Sequence, residues 1–376
     1  MGVAGIPASI AEVNAGRRNR NRIPIVLSFT VTINLTGHQF TVAAGETVLE
    51  AAQRAGVALP YSCRAGVCGS CKATLLEGSC DYPLNPPVGL NAGALAEGAV
   101  LPCQAVPTSD LLLQAREVPS VAEMARRRLD VRVAAKWPLA PGVVGLSLVP
   151  VSGEEPLRRL PGQYLDVLLE DGRHRPFSIA NGPQADGAIE LHVRHVDGGG
   201  FTSYVDASLR VGDTLRIEGP LGTFVPREDS ERPMLFMAGG TGFAPVKAIV
   251  EHFIALGTQR RMDLYWGGRS AADLYLLELA RRWARELPNL HFQAVVSEPA
   301  LAAGLRRGLV HEAVLEDLPD LSAYDVYMSG RPAMVDAGRA AFMAAGAPES
   351  HVYFDSFEYA PDVLAKLIAA RAGFAD

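Results

Sequence analysis

The rhythm of apolar and polar positions changes three times along this chain. After a start with little apolar periodicity, positions 26–34 alternate strictly. Val26, Ser28, Thr30, Thr32 and Asn34 fall on one side, and Leu27, Phe29, Val31 and Ile33 on the other, before a Thr36-Gly37-His38 turn. Period-two alternation running into a turn predicts a strand and its hairpin mate. The run 47–56, ending on Gly56, predicts a short helix. From 129 to about 227, short apolar runs are separated by Pro-Gly, Asp-Gly and Gly-Gly-Gly turns, the pattern of an antiparallel barrel or sandwich. From Pro233 the texture changes again. Strands are predicted at 234–238, 262–266, 291–296 and 326–328, with helices between them, one over 246–256. Strand and helix in alternation imply a parallel α/β sheet.

These changes divide the chain into a tail (1–24), a first domain (25–113), a polar linker (114–128), a β-rich domain (129–228), an α/β domain (229–358) and a C-terminal tail (359–376) with a helix predicted over 363–372. The N-terminal tail carries Arg17, Arg18, Arg20 and Arg22 before any apolar core, the reverse of a secretory signal. No apolar run reaches the roughly 18 residues of a membrane span. The net charge of −6 argues against a nucleic-acid binder, which would show a basic face. A cytoplasmic setting is expected, because five cysteines crowded between Cys63 and Cys103 do not make a secreted disulfide framework.

Four of those cysteines carry the sharpest chemistry. Cys63-Arg-Ala-Gly-Val-Cys68-Gly-Ser-Cys71 is C-x4-C-x2-C, and Cys103 follows in Leu-Pro-Cys103-Gln. That is the spacing of a plant-type [2Fe–2S] site, in which four thiolates converge on two irons. Gly66 and Gly69 let the loop curl and aim its N–H groups at sulfur. Structural zinc prefers two short Cys pairs, and only one is present. Cys80 falls outside the pattern and is given no role.

Two further motifs are weaker alone. Arg175-Pro-Phe177-Ser178-Ile-Ala-Asn181, followed by Gly199-Gly-Phe-Thr202-Ser203, offers an Arg to clamp phosphate, an aromatic to stack on a flat ring, and hydroxyl and N–H donors. Ala238-Gly239-Gly240-Thr241-Gly242-Phe-Ala-Pro245 follows a predicted strand and opens a helix, the context of a dinucleotide loop. Ser329-Gly330 forms a second Gly turn at the carboxyl edge of the same sheet.

Taken in order, these motifs resemble the ferredoxin–NADP reductase superfamily. They look most like reductases with an N-terminal plant-type ferredoxin domain, the group that includes reductase components of aromatic-ring oxygenases and CDP-6-deoxy-glucoseen reductase. The resemblance covers about 25–358. It implies a β-grasp ferredoxin domain, an antiparallel β-barrel flavin domain and a parallel α/β nicotinamide domain. It also implies FAD, NAD(P)H and a protein electron acceptor, an oxygenase or a deoxysugar dehydratase component. By this resemblance Arg175, Phe177, Ser178, Asn181, Gly199, Thr202 and Ser203 serve the flavin, and Gly240, Thr241, Gly242, Pro245 and Gly330 the nicotinamide nucleotide. Ser329 replaces the usual Cys beside the nicotinamide, Phe357 covers the flavin ring, and Asp355 sits nearby. Ser178, Ser329, Asp355 and Phe357 are the expected catalytic group. After the second strand, Arg269 and Ser270 are candidates for a 2′-phosphate. No acidic residue is read behind that strand, where one would favour a free ribose hydroxyl, and NADH is slightly preferred. A bare electron carrier or a flavohaemoprotein-like enzyme is disfavoured by the intact motifs and the scattered histidines.

Overall fold

A computed structural model describes residues 28–84, 87–183, 187–196, 200–298 and 304–358. The expected N-terminal tail, Gly199 and the helix expected over 363–372 lie outside the described residues.

The first unit is built from β1 (Ser28–Ile33), β2 (Gln39–Ala43), α1 (Val48–Arg54), β3 (Ala73–Glu77), β4 (Cys80–Asp81), α2 (Ala92–Ala96), β5 (Ala99–Val100), β6 (Val106–Pro107), β7 (Leu111–Gln114) and α3 (Pro119–Ala122). Its sheet runs β2-β1-β7-β3-β5. β1 pairs antiparallel with β2 and parallel with β7, so the chain returns to the sheet centre after crossing it with α1. This is the β-grasp arrangement. Alternation in β1 puts Val31 and Ile33 into a core shared with Phe40, Val42, Leu49 and Leu59. The helix starts where Thr47 and Glu50 form a reciprocal capping box, satisfying backbone donors that would otherwise be orphaned.

The second unit comprises β8 (Arg127–Ala140), β9 (Val143–Pro150), β10 (Tyr164–Leu168), β11 (His174–Ser178), β12 (Ile189–Arg194), α4 (Gly200–Ala207) and β13 (Thr214–Leu221). The strands run β11-β10-β13-β8-β9-β12, all antiparallel. The expected barrel is not laddered all the way round. Its edges β11 and β12 meet at the isolated bridge Ile179–Leu191. Closure stops there because the chain turns after Ala180, where the Asn181 amide bonds the Ala188 carbonyl and the Glu190 N–H. The polar linker is also shorter than expected. Arg127 and Arg128 already pair in β8, opposite Gly219 and Glu218, and the buried Glu218 carboxylate binds both Arg126 and Arg128.

The third unit contains β14 (Met234–Gly239), α5 (Phe243–Ala255), β15 (Met262–Gly268), α6 (Leu277–Glu286), β16 (Leu290–Val296), β17 (Arg306–Arg307), α7 (Val310–Asp317), β18 (Asp325–Gly330), α8 (Pro332–Ala344) and β19 (Val352–Ser356). All strands are parallel in the order β17-β16-β15-β14-β18-β19. The order reverses between β14 and β18, so the loops after these strands open a crevice at a topological switch point, where open α/β sheets bind ligands. α5 begins at Phe243, ahead of the expected 246, with Pro245 inside its first turn, the position proline tolerates best. The aromatic C-terminal motif is itself an edge strand, β19. Among the described residues no helix is long and apolar enough to cross a membrane.

Candidate functional site

The cysteine loop of the first unit curls through three residues of positive φ: Gly66 (77°), Gly69 (74°) and, unexpectedly, Arg64 (55°). Arg64 is held in this costly geometry from both ends. Its guanidinium meets the buried Asp166 carboxylate of β10 at 2.5 Å, and its carbonyl accepts from Gln104 Nε2 at 2.7 Å. The curl brings the sulfurs near one another in two pairs, Cys63 with Cys68 and Cys71 with Cys103, each close enough to shift its partner's titration, and the Cys68 thiol also meets Ser70 Oγ at 3.4 Å. Cys63 is drawn down to about 5, chiefly by the hydrogen bond from Cys68, against burial and with help from the N–H groups of Ala65, Cys68 and Val67. Cys103 is drawn down in the same way by Cys71, while Cys68 and Cys71 are pushed well up. Among the described residues no three Cys, His, Asp or Glu converge as a single ion requires. Two adjacent pairs with N–H donors beside them suit two irons with two thiolates each.

The loop is docked on the other two units. Tyr61 N–H donates to Thr223 Oγ1 at 2.9 Å, and Thr223 returns bonds from Oγ1 (3.1 Å) and its own N–H (3.3 Å) to the Tyr61 carbonyl. Tyr164 donates its hydroxyl to the Ser62 carbonyl at 2.8 Å. Lys72 pairs with Glu349 at 2.5 Å. At the centre, Ser62 Oγ donates to Asp355 Oδ1 at 2.7 Å, and Ser178 Oγ donates to Asp355 Oδ2 at 3.0 Å. One buried carboxylate on β19 thus joins the residue before Cys63 to the last residue of β11. Burial pushes the Asp355 carboxyl up, and the two hydroxyl hydrogen bonds oppose that push.

On β11, Arg175 is buried and donates to the His174 carbonyl at 2.9 Å. Phe177 packs at 5.6 Å against Phe201 of α4, which brings Thr202 and Ser203 toward the same strand. The Thr202 hydroxyl accepts from Val196 N–H at 3.1 Å. Asn181, expected in the same group, bonds through its amide to the Ala188 carbonyl and the Glu190 N–H in the turn that ends the strand.

The nucleotide loop is shaped by close approach. A Cβ on Gly242 would lie 2.2 Å from the Ser329 carbonyl oxygen, and one on Gly239 would lie 2.4 Å from Met334 Sδ. Gly240 has φ +54°. Among the described residues no side chain caps the start of α5, which runs on from the Gly240–Gly242 turn at the carboxyl edge of the sheet, where a helix dipole favours an anion. Thr241 lies in the same turn and Pro245 is buried behind it. Ser329 is fully buried, and its Oγ has no hydrogen-bond partner among the described residues. Such an orphan is costly unless a ligand satisfies it. Phe357 is half-buried and donates its N–H to the Gly330 carbonyl at 2.8 Å.

The end of β15 departs from expectation. Arg269 is exposed and tied to Glu298 through Nε at 2.7 Å, and Ser270 caps a short helical turn with Asp273. Asp273 accepts from the Arg269 and Ser270 N–H groups at 3.1 and 3.0 Å and pairs with Arg194 at 3.2 Å. An acidic residue therefore does stand behind the second strand, folded back from a few positions downstream. Its signal was the Ser-x-x-Asp capping spacing.

An iron–sulfur loop, a flavin-type antiparallel unit and a nucleotide crevice on one chain define a class, the iron–sulfur flavoprotein reductases. The chain matches family models described as the 2Fe-2S iron-sulfur cluster binding domain (31–108), the oxidoreductase FAD-binding domain (142–225) and the oxidoreductase NAD-binding domain (236–340). It is 38% identical to the CDP-6-deoxy-L-threo-D-glycero-4-hexulose-3-dehydrase reductase of Yersinia pestis, over 88% of this chain and 99% of that protein. It is 34% identical to reductase component 1 of the terephthalate 1,2-dioxygenase of Comamonas sp, over 86% and 95%. The crystal structure of the Amycolatopsis cytochrome P450 reductase GcoB superposes with TM-score 0.70 at 34% identity, over 88% and 98%. The chain belongs to the ferredoxin–NADP reductase superfamily, in the branch with an N-terminal [2Fe–2S] domain. It is an NAD(P)H-dependent oxidoreductase with FAD and [2Fe–2S] cofactors that moves electrons to a protein acceptor.

Proposed function

We propose that Cys63 and Cys68 hold one iron and Cys71 and Cys103 the other. Arg175, Phe177, Ser178, Gly199, Thr202 and Ser203 hold the FAD, and Gly240, Thr241, Gly242, Pro245 and Gly330 hold the nucleotide. Bound FAD would supply two-electron hydride acceptance with one-electron release, and a bound cluster one-electron transfer. The chain's own groups position these steps. Ser178 presents a hydroxyl at the flavin edge, oriented by Asp355. Ser329, buried beside Gly242 at the end of β18, would offer its orphan hydroxyl near the nicotinamide, and Phe357 would cap the flavin face. The observation that carries the reading is the shared Asp355 carboxylate, which places the cluster loop and the flavin strand against each other. NADH is the proposed donor: Glu298 already neutralises Arg269, and Asp273 suits a free ribose hydroxyl better than a phosphate.

The acceptor we propose is the iron-containing component of an aromatic-ring oxygenase, in a cytoplasmic setting. Val67, on the cluster loop, and Val88 remain exposed where such a protein could approach. The second reading is a deoxysugar dehydrase partner, favoured by the 38% identity to the Yersinia reductase over nearly its full length. The test is an absorption spectrum of the purified chain before and after anaerobic NADH, then NADPH. Overlapping flavin and iron–sulfur bands bleached by NADH support the electron path. A chain lacking cluster absorption after reconstitution overturns the cysteine assignment. Mixing the reduced chain with an oxygenase component or a dehydrase then separates the two acceptors.

A further inference from the structure

Between the second and third units lies a buried polar chain that the electron path above does not use. Lys247 sits in α5, two residues past Pro245, with only 7% of its surface exposed. Its ammonium donates to the Ala180 carbonyl at 3.0 Å, to Glu251 at 3.0 Å and to Glu190 Oε2 at 3.3 Å. The other Glu190 oxygen meets His192 Nε2 at 2.8 Å, and His192 Nδ1 meets the Tyr275 hydroxyl at 2.9 Å. Tyr275 stands edge-on to Trp266, ring centres 5.2 Å apart. Trp266 stacks flat on Phe243 at 3.9 Å and donates Nε1 to the Gly240 carbonyl at 3.0 Å.

The protonation states follow from the contacts. Burial pushes the Glu190 carboxyl up, but the His192 hydrogen bond and the Lys247 charge outweigh it and leave the group below its usual range. Burial holds the His192 imidazole low despite Glu190. A neutral imidazole facing a carboxylate through Nε2 must donate there, so Nδ1 accepts from Tyr275. Every member of the chain is thereby satisfied.

The chain grips the nucleotide loop at two points. Lys247 holds the helix side to Ala180, two residues beyond Ser178. Trp266 holds the strand side through Gly240 and is braced by Tyr275 and His192 of β12. Buried ion pairs contribute little net stability relative to apolar packing, yet removing one partner strands a charge. Such a chain is better suited to fixing one geometry than to adding stability.

We propose that Lys247, His192 and Tyr275 are positioning residues that set the Gly240–Gly242 loop in register with β11, so that hydride donor and acceptor meet at a single distance. The proposal rests on the assignment of that loop and Ser178 given above. The experiment compares Tyr275→Phe, which deletes one hydroxyl, and Lys247→Met, which keeps length but removes charge, with the full-length holoprotein. Stopped-flow flavin reduction is followed against NADH concentration, with the primary deuterium isotope effect, and NAD⁺ affinity is measured by calorimetry. A misplaced donor costs rate steeply, so the limiting rate is expected to fall about tenfold in Tyr275→Phe and further in Lys247→Met. The isotope effect should become more temperature-dependent, and NAD⁺ affinity should stay within about twofold. Unchanged limiting rates in both folded variants, or a loss confined to NAD⁺ affinity, overturn the proposal. If NADH fails to bleach the wild-type flavin, the functional reading falls, and the proposal with it. If wild type bleaches and the variants match it, only the proposal falls.

Discussion

Ser62 Oγ and Asp355 Oδ1 lie 2.7 Å apart, joining residues nearly three hundred positions distant in the chain. Ser62 belongs to the cluster loop and Asp355 to the last described strand, and Ser178 shares the same carboxylate. The contact therefore separates two events that an activity assay would merge. Ser62→Ala removes the cluster-side hydroxyl and leaves the flavin-side one. Flavin reduction by NADH should stay within about twofold of wild type while the following bleaching of the cluster slows about tenfold. Asp355→Ala should slow both. Stopped-flow traces at flavin and cluster wavelengths check this, and equal slowing of both phases in Ser62→Ala would refute it.

The paired sulfurs predict an asymmetric outcome for the cysteines. Cys103→Ser removes one partner of the second pair and should abolish the cluster while flavin reduction persists. Cys80→Ser should keep a full complement of about two irons per chain. Iron analysis and the visible spectrum distinguish these outcomes.

Gly242 has no room for a methyl group: a Cβ would stand 2.2 Å from the Ser329 carbonyl oxygen, and backbone cannot swing aside as a side chain does. Gly242→Ala should cost about 1–3 kcal/mol of stability through overpacking. It should also weaken NADH-driven reduction, with the cluster still reducible by dithionite. Thermal melting and anaerobic titration test both halves.

Asp273 should govern the choice of donor. Asp273→Ser retains a capping hydroxyl and removes the charge. The ratio of kcat/KM for NADPH over NADH should then rise roughly tenfold, the scale of one charge-assisted hydrogen bond. Steady-state kinetics with both nucleotides provide the measurement.

Acid should loosen the junction between the second and third units. His192 is held below its ordinary 6.5, chiefly by burial, so the unfolded chain binds a proton that the folded chain refuses. Its stabilising contribution is whole above about 6.5 and drains away as pH falls below that value. Glu190, faced by His192 and Lys247 and held low, has the same sign at more acidic pH. Urea midpoints should fall with pH over this window, and His192→Gln should flatten the upper part of the slope.

Much of the fold could be read from local rules. The β1 alternation, the Thr47–Glu50 cap and the 234–238 strand with its glycine loop each announce themselves within a few residues. The C-x4-C-x2-C spacing points to three of the four proposed cluster thiols because loop geometry is short-range. What escaped was long-range. Arg64 in the left-handed region depends on Asp166, and the Asn181 amide is claimed by a turn. Asp273 reaches β15 only by folding back. β19 looked like an isolated aromatic motif because an edge strand shows its pairing only once β18 is in place.

The reciprocal bonds between Tyr61 and Thr223 have a consequence for how the protein behaves at different abundances. With the cluster loop tethered through the short stretch between β7 and β8 and seated on the second unit, the two cofactor-binding units would meet at an effective concentration on the order of millimolar or higher. The first hop is then first-order and indifferent to dilution. Only the final handover to a separate protein feels how crowded the cell is, so overproducing this chain alone should leave its internal reduction rate untouched and shift the bottleneck outward.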